Sequence, residues 1–472
     1  MQGRYRRRPG DQILRLTRTR PWRVLVPTIR RPQTGGLSSL VLIYGFLGVI
    51  IIGTVLLILP ISSKTGEATS LVNALFTATS AVCVTGLVLV DTADYWSYFG
   101  QGVILTLIQI GGFGFMTSAT LFLLAFGRRI GLRERLLIRE SMGLVRLGGL
   151  VRIIRQMAIF TVCFEIAGAA IFYIRFSGEN PIGLSIWKSI FQSVSAFNNA
   201  GFDLFGGFQS MLPYQKDPLM VLVTAVLIFF GGISFLVLAD IFRARGFTRL
   251  SLDSKMVLSV TGMLLVVGTI VILLTGLNEP DTFGNLSVPY KILNAFFLSV
   301  TARTAGFSTI TTADLAKYAL FFTMLLMFIG GASGSTAGGV KVNTFGVLLA
   351  TIWSATRGRE HAGAFGREFT IQQIYRALTV ALLSLALLAV VVFLLTITEK
   401  FSFIDLLFET FSAFGTVGLS TGITPDLSLI GRLIITATMF VGRLGPLTLV
   451  LSLIQRQQPA AYRYPTDIVR TG

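Results

Sequence analysis

The chain has 472 residues, 53% of them hydrophobic and only 13% charged, with a mean hydropathy of +0.74. A soluble globular chain carries about 25% charged residues, so a water-soluble enzyme is excluded. Lys and Arg number 40 against 22 acids, a net charge of +18 that in a soluble chain would suggest nucleic acid; here the cations are bunched between apolar blocks, and no nucleic-acid partner is expected.

Segment 1–36 comes first, a basic arm with ten Lys/Arg, among them Arg4, Arg6, Arg7 and Arg8. It is too long and too basic for an ordinary cleaved signal peptide, and reads as a cytosolic arm touching anionic lipid or a partner. Eight apolar blocks follow, at 37–59, 102–126, 156–176, 218–239, 256–277, 318–330 running on to 353, 376–398 and 433–453. Their lengths suit the roughly 20 residues that cross about 30 Å of hydrocarbon. Thirty Lys/Arg fall in segments 1–36, 127–155, 243–255, 341–376 and 456–472, which share one side if the helices alternate. The positive-inside rule makes that side, and both termini, cytoplasmic. The two cysteines, Cys83 and Cys163, and the single His361 leave no basis for a disulfide framework or a zinc site, and no cofactor is expected on the chain.

Between the first and second apolar block of each pair lies a shorter, half-polar segment ending in glycine: 71–86, 186–201, 292–306 and 403–418. The terminal glycines Gly86, Gly201, Gly306 and Gly418 recur every 105 to 115 residues, each with a phenylalanine ten residues earlier (Phe76, Phe191, Phe296, Phe408). Ser80-Ala81, Ser195-Ala196 and Ser412-Ala413 precede three of them; the third segment has Val300-Thr301 and reads as divergent there. Later in each unit stand Gly111-Gly112, Gly231-Gly232, Gly330-Gly331 and Gly442-Arg443. Recurrence in phase predicts an all-α membrane protein. It has four parallel repeats of helix, half-helix pore loop and helix, with eight spanning helices around a central pore. The units are a basic arm 1–36, repeats 37–126, 127–242, 243–353 and 354–455, and a cytosolic tail 456–472.

A segment that dips into the membrane and turns back leaves backbone groups unpaired, and survives only where it lines a watery, protein-walled cavity. Four such turns point to one axis, where a ring of carbonyls replaces the hydration shell of a monovalent cation. The turns are Cys83-Val84-Thr85-Gly86, Asn198-Asn199-Ala200-Gly201, Arg303-Thr304-Ala305-Gly306 and Gly415-Thr416-Val417-Gly418. Apart from Arg303 they are uncharged, which disfavours the carboxylate rings of a divalent-cation pore. Ordinary interhelical loops are the bland alternative for any one turn taken alone.

On these turns, the Ser-Ala pairs and a glycine-rich break at 330–339, the chain resembles the Trk/Ktr/HKT superfamily of potassium transporters over nearly its whole length. With eight spans and a tail through Tyr464-Pro465 to Gly472, it is most similar to the bacterial KtrB-type membrane subunits. The resemblance implies a multi-pass protein of the bacterial plasma membrane with a potassium filter, since Gly86 keeps the potassium pattern where serine marks sodium preference. It also implies a homodimer in membrane lipid and a KtrA-like, octameric-type cytosolic ring that binds nucleotide. Potassium is then the transported ion, coordinated by filter carbonyls, and sodium an activator. It favours a gate at Gly330, Gly331, Ser333, Gly334, Ser335, Thr336, Gly338 and Gly339, with Lys341 at its cytosolic edge; a flexible hinge or close-packing seam is the competing reading.

Arg443 sits within an apolar block, where a charge costs roughly 2.5 to 3.5 kcal/mol. It either faces the axis, as its repeat position beside Gly112, Gly232 and Gly331 suggests, or pairs with Glu165. The leading function is a passive, gated potassium-conducting subunit. A secondary carrier with broken helices is the first alternative; a membrane enzyme, for which only Glu165 offers an intramembrane acid, is the second.

Overall fold

The computed structural model describes residues 35–125, 150–244, 246–277, 279, 282–283 and 286–445. Most of the basic arm (1–34), the basic loop 127–149, the last apolar block beyond 445 and the tail 456–472 lie outside the described residues.

The chain repeats one motif. α1 (Gly35–Ile58) leads to a short α2 (Leu71–Cys83), then α3 (Tyr98–Phe113) and α4 (Phe115–Ala125). α5 (Leu150–Phe176) and short α6 (Ile182–Phe197) precede α7 (Pro218–Gly232) and α8 (Phe235–Ala244). α9 (Leu252–Gly276) and short α10 (Val288–Thr301) precede α11 (Lys317–Phe328) and α12 (Val342–Thr356). The last unit is α13 (Ile371–Thr398), short α14 (Phe403–Gly415) and α15 (Leu429–Leu444). Local chemistry sets the starts: Ser70, Ser97, Ser402 and Ser428 accept the amides of Asn73, Gly100, Asp405 and Gly431, satisfying donors that a helix N-terminus leaves free. One strand pair occurs among the described residues, Gly363–Ala364 against Arg367–Glu368, just past the exposed His361.

The units pack in cyclic order. α3 of the first contacts short α6 of the second, α7 contacts α10, α11 contacts α14, and α15 contacts α2, closing the circle. The exterior is apolar as well as the core: Ile166, Ile174, Val266, Leu274, Leu382 and Phe393 are exposed, while the short-helix hydroxyls of Ser80, Ser195, Thr301 and Ser412 are buried. Such an apolar exterior, with polar groups gathered inside, suits hydrocarbon solvent. Among the described residues three helices are long and apolar enough to cross in one piece, Val151–Phe176, Leu252–Gly276 and Ile371–Thr398; α7 and α8 reach that length and apolarity only together, bent by 92° at the break between them.

Two features differ from the sequence reading. The blocks 102–126 and 218–239 read as continuous, yet the first breaks at Gly114 (φ 77°) and the second between α7 and α8. The amide of Gly114 closes onto Gly111 O at 3.1 Å, a left-handed glycine stop that a single hydropathy block conceals. α15 stops likewise at Gly445 (φ 83°), whose amide reaches Val441 O at 2.9 Å. The other concerns the third short helix, which is shifted by one residue rather than divergent. Phe297, not Phe296, is wholly buried like Phe76, Phe191 and Phe408, and Thr301-Ala302 stands where the other units carry Ser-Ala. The amide of Ala305 bonds Thr301 O at 2.9 Å, as Thr85, Ala200 and Val417 bond the carbonyls of Ser80, Ser195 and Ser412 at 2.8, 2.8 and 2.9 Å.

Candidate functional site

Within three residues of its end each short helix is followed by a left-handed residue (Val84, Asn199, Thr304, Thr416; φ 56°, 58°, 76°, 50°) and, two positions later, by a left-handed glycine (Gly86, Gly201, Gly306, Gly418; φ 90°, 70°, 81°, 94°). Glycine alone holds such a φ without Cβ strain. The four glycines meet. A Cβ built on Gly86 would lie 3.0 Å from Gly201 Cα, one on Gly201 3.1 Å from Gly306 Cα, one on Gly306 3.1 Å from Gly418 Cα, and one on Gly418 3.1 Å from Gly86 Cα. The carbonyl oxygens of Thr85, Ala200, Ala305 and Val417 crowd the same space. No side chain fits at any of the four.

Hydroxyls lace each turn to its helix. Ser80 and Ser412 Oγ accept the amides of Gly86 and Gly418, both at 3.1 Å; Ser195 and Thr301 donate to the carbonyls of Phe202 and Phe307 at 2.5 and 2.7 Å. Gly111, Gly231 and Gly442 press against the carbonyls of Val82, Phe197 and Phe414, so in three units the second recurrent glycine serves close approach to the turn, while Gly330 meets the carbonyl of Gly338 instead. Four helix C-termini, the negative ends of their dipoles, therefore converge on one ring, a field that favours a cation.

Residues following the glycines line a cavity of about 490 Å³, with Asp91, Asp203, Ser308 and Thr424 among its walls. Burial, reinforced by Asp91 and opposed by the amide of Phe205, pushes the Asp203 carboxyl up to about 6. Residues preceding the glycines face the Gly330–Gly339 loop instead: Gly338 abuts the Thr416 side chain and Gly339 the backbone of Gly415. The loop is tied at several points. Thr336 Oγ1 donates to Gly231 O at 3.0 Å, the amide of Ala332 to Gly232 O at 3.0 Å, and Ser335 to Ala332 O. The amide of Ser333, which is exposed, donates to Asn343 Oδ1, and Gly334 is left-handed at φ 77°. Lys341 folds back to donate to the carbonyls of Ala337 and Gly338.

Arg443 donates to Thr336 O in this loop and to Gly111 O at 2.5 Å. It makes no ion pair with Glu165: that carboxylate accepts from Asn198 Nδ2 at 3.0 Å and Gln109 Nε2 at 3.4 Å. The Arg443–Glu165 alternative is thereby set aside, because two neutral amides already satisfy the acid. Cys83, Val84, Asn198, Asn199 and Arg303 are all buried around the turns, the Nε of Arg303 without a partner among the described residues. Sequence reasoning missed Glu409, wholly buried in α14, because a half-polar helix does not reveal which of its acids faces inward.

Residues 38–464 match the family described as TrkH, cation transport protein. The chain belongs to the TrkH family of cation transport proteins. It is a multi-pass membrane transporter and not an enzyme. A relative in Bacillus subtilis named Ktr system potassium uptake protein B is 42% identical over 92% of this chain and 96% of its own length. A relative in Enterococcus hirae named potassium/sodium uptake protein NtpJ is also 42% identical, over 91% and 96%. The crystal structure of the potassium transporter TrkH from Vibrio parahaemolyticus matches with a TM-score of 0.71 at 20% identity, over 90% of this chain and 86% of that one; it shares the TrkH fold.

Proposed function

We propose that this TrkH-family chain is the potassium-translocating membrane subunit of a bacterial uptake system, and that its four glycine turns are the selectivity filter. The closed ring of Gly86, Gly201, Gly306 and Gly418 carries the reading: it gathers backbone carbonyls at the C-termini of four helices and admits no side chain. Such a ring exchanges water for carbonyl oxygen around a monovalent ion at little cost, and offers a divalent ion no carboxylate. The names of the Bacillus and Enterococcus relatives support potassium as the ion.

In this reading four parallel repeats, with eight spans in all, surround one pore. The cavity beside Asp91 and Asp203 is the outer mouth, where negative charge concentrates cations before they shed water. The Gly330–Gly339 loop lies on the cytosolic side of the filter and is the gate, with Lys341 at its edge and Arg443 latching it through Thr336. Opening requires that latch to release. A homodimer regulated by a KtrA-like, octameric-type nucleotide-binding ring, with both termini cytoplasmic, completes the assembly. Sodium as an activator or second cargo is favoured by the name of the Enterococcus relative. Rubidium flux into potassium-loaded proteoliposomes, with sodium, lithium and divalent competitors, tests the assignment. Rubidium should permeate, lithium and divalents should not, and Gly86→Ser should erode the preference.

A further inference from the structure

Glu409 is unaccounted for by filter or gate. It sits in α14 with no exposed surface, and no Lys or Arg pairs with it among the described residues. A buried carboxylate without a counter-ion persists only where hydrogen-bond donors saturate it. All its donors come from one place, the limb that climbs away from Gly418. Oε1 accepts from the Ser420 hydroxyl and from the Thr421 amide at 3.2 Å, and Oε2 accepts from the Thr424 hydroxyl at 2.9 Å. The Ser420 and Thr424 hydroxyl oxygens lie 2.9 Å apart, and Ser420 accepts the amide of Gly422 at 2.9 Å, so the cluster is compact.

The fourth turn hangs between two limbs, helix α14 before Gly418 and the 420–424 segment after it, and Glu409 fastens one to the other. At the matching helical position the other units carry Thr77, Gln192 and, allowing for the one-residue shift, Leu298, so no other unit has this carboxylate. Ser420, Thr421 and Thr424 themselves line the cavity above the ring. We infer that Glu409 is a positioning residue for cation discrimination: by clamping the outgoing limb it fixes where Gly418 and the Val417 carbonyl stand in the ring. This rests on the filter reading given above. It adds that one quarter of the filter is held by a carboxylate clamp, and that selectivity depends on the clamp's hydrogen bonds rather than on its charge acting on the ion.

The test uses the full chain in proteoliposomes, reading sodium competition against rubidium uptake per folded molecule. Glu409→Ala removes the clamp and should raise sodium competition by about fivefold, the scale of one ordinary hydrogen bond. Glu409→Gln keeps an oxygen for Ser420 and Thr421 and a group for Thr424, and should stay within about twofold of the parent. Thr424→Val, which leaves the helix intact, should move competition in the direction of the alanine variant and serves where the latter does not fold. Parental selectivity in both the alanine and valine variants, beside altered selectivity in Gly418→Ser, overturns the clamp alone. Unaltered selectivity in Gly418→Ser overturns the filter reading and the clamp with it. Equal loss in Glu409→Gln and Glu409→Ala overturns positioning in favour of a direct effect of charge.

Discussion

A side chain at Gly86 meets the backbone of Gly201, and one at Gly306 meets Gly418, in positions whose φ of 90° and 81° already penalise any residue with a Cβ. Serine at either site should lower potassium preference over sodium and cost about 1 to 3 kcal/mol of stability, read by competition flux and thermal melting. Unchanged selectivity in both variants contradicts the ring. Asp203 offers a pH test. Its carboxyl, pushed up to about 6, is ionised at pH 7 and neutral at pH 5, so acid removes negative charge from the outer cavity. Subsaturating rubidium uptake should fall about two- to threefold between those pH values, and Asp203→Asn should be flat at the lower level. The stability effect has the opposite sign: a raised folded-state value means the native state binds the proton more tightly, so this residue's contribution improves as pH falls through 6. An Asp203→Asn variant that keeps the full pH dependence rules out this carboxyl.

Among the elements, the broken helices explain why some features were legible in the sequence and others were not. Four glycines at near-constant spacing announce four turns, since nothing but a repeated backbone requirement places them in phase. A glycine pair inside an apolar block is ambiguous, because close packing and a chain break both use it; Gly114 and the bend between α7 and α8 became apparent only from the backbone. The one-residue shift of α10 hid in the same way, behind a phenylalanine pair, Phe296-Phe297, either of which fits the pattern. Arg443 joins two of these breaks, reaching Thr336 in the loop and Gly111 at the end of α3. Arg443→Ala should therefore leave a folded protein with higher rubidium flux. Because Glu165 is held by Asn198 and Gln109, a Glu165→Gln change should not rescue or deepen that effect. A destabilised Arg443→Ala protein restored by Glu165→Gln would reinstate the ion pair. Shortening the Gly330–Gly339 loop should likewise raise flux; normal folding with lower flux would favour a hinge.

For the molecule as a whole, the cyclic packing of each unit's second helix on the next unit's short helix closes a fourfold arrangement within one chain, and the four helix C-termini meet where it closes. The proposed orientation rests on charge bias alone, whereas glycine phase pointed to the axis, and the two buried acids, Glu165 and Glu409, took their meaning only from the partners that the fold brings to them. A carrier with broken helices would share much of this anatomy and differ in rate. The decisive measurement is unidirectional rubidium flux through purified protein in potassium-loaded liposomes as external rubidium rises, with sodium and lithium as competitors. A pore lined by the glycine ring predicts flux that continues to climb at high rubidium, is blocked by neither lithium nor divalents, and loses its potassium preference in Gly86→Ser. Flux that saturates at a low, carrier-like rate and keeps its preference in Gly86→Ser would contradict it.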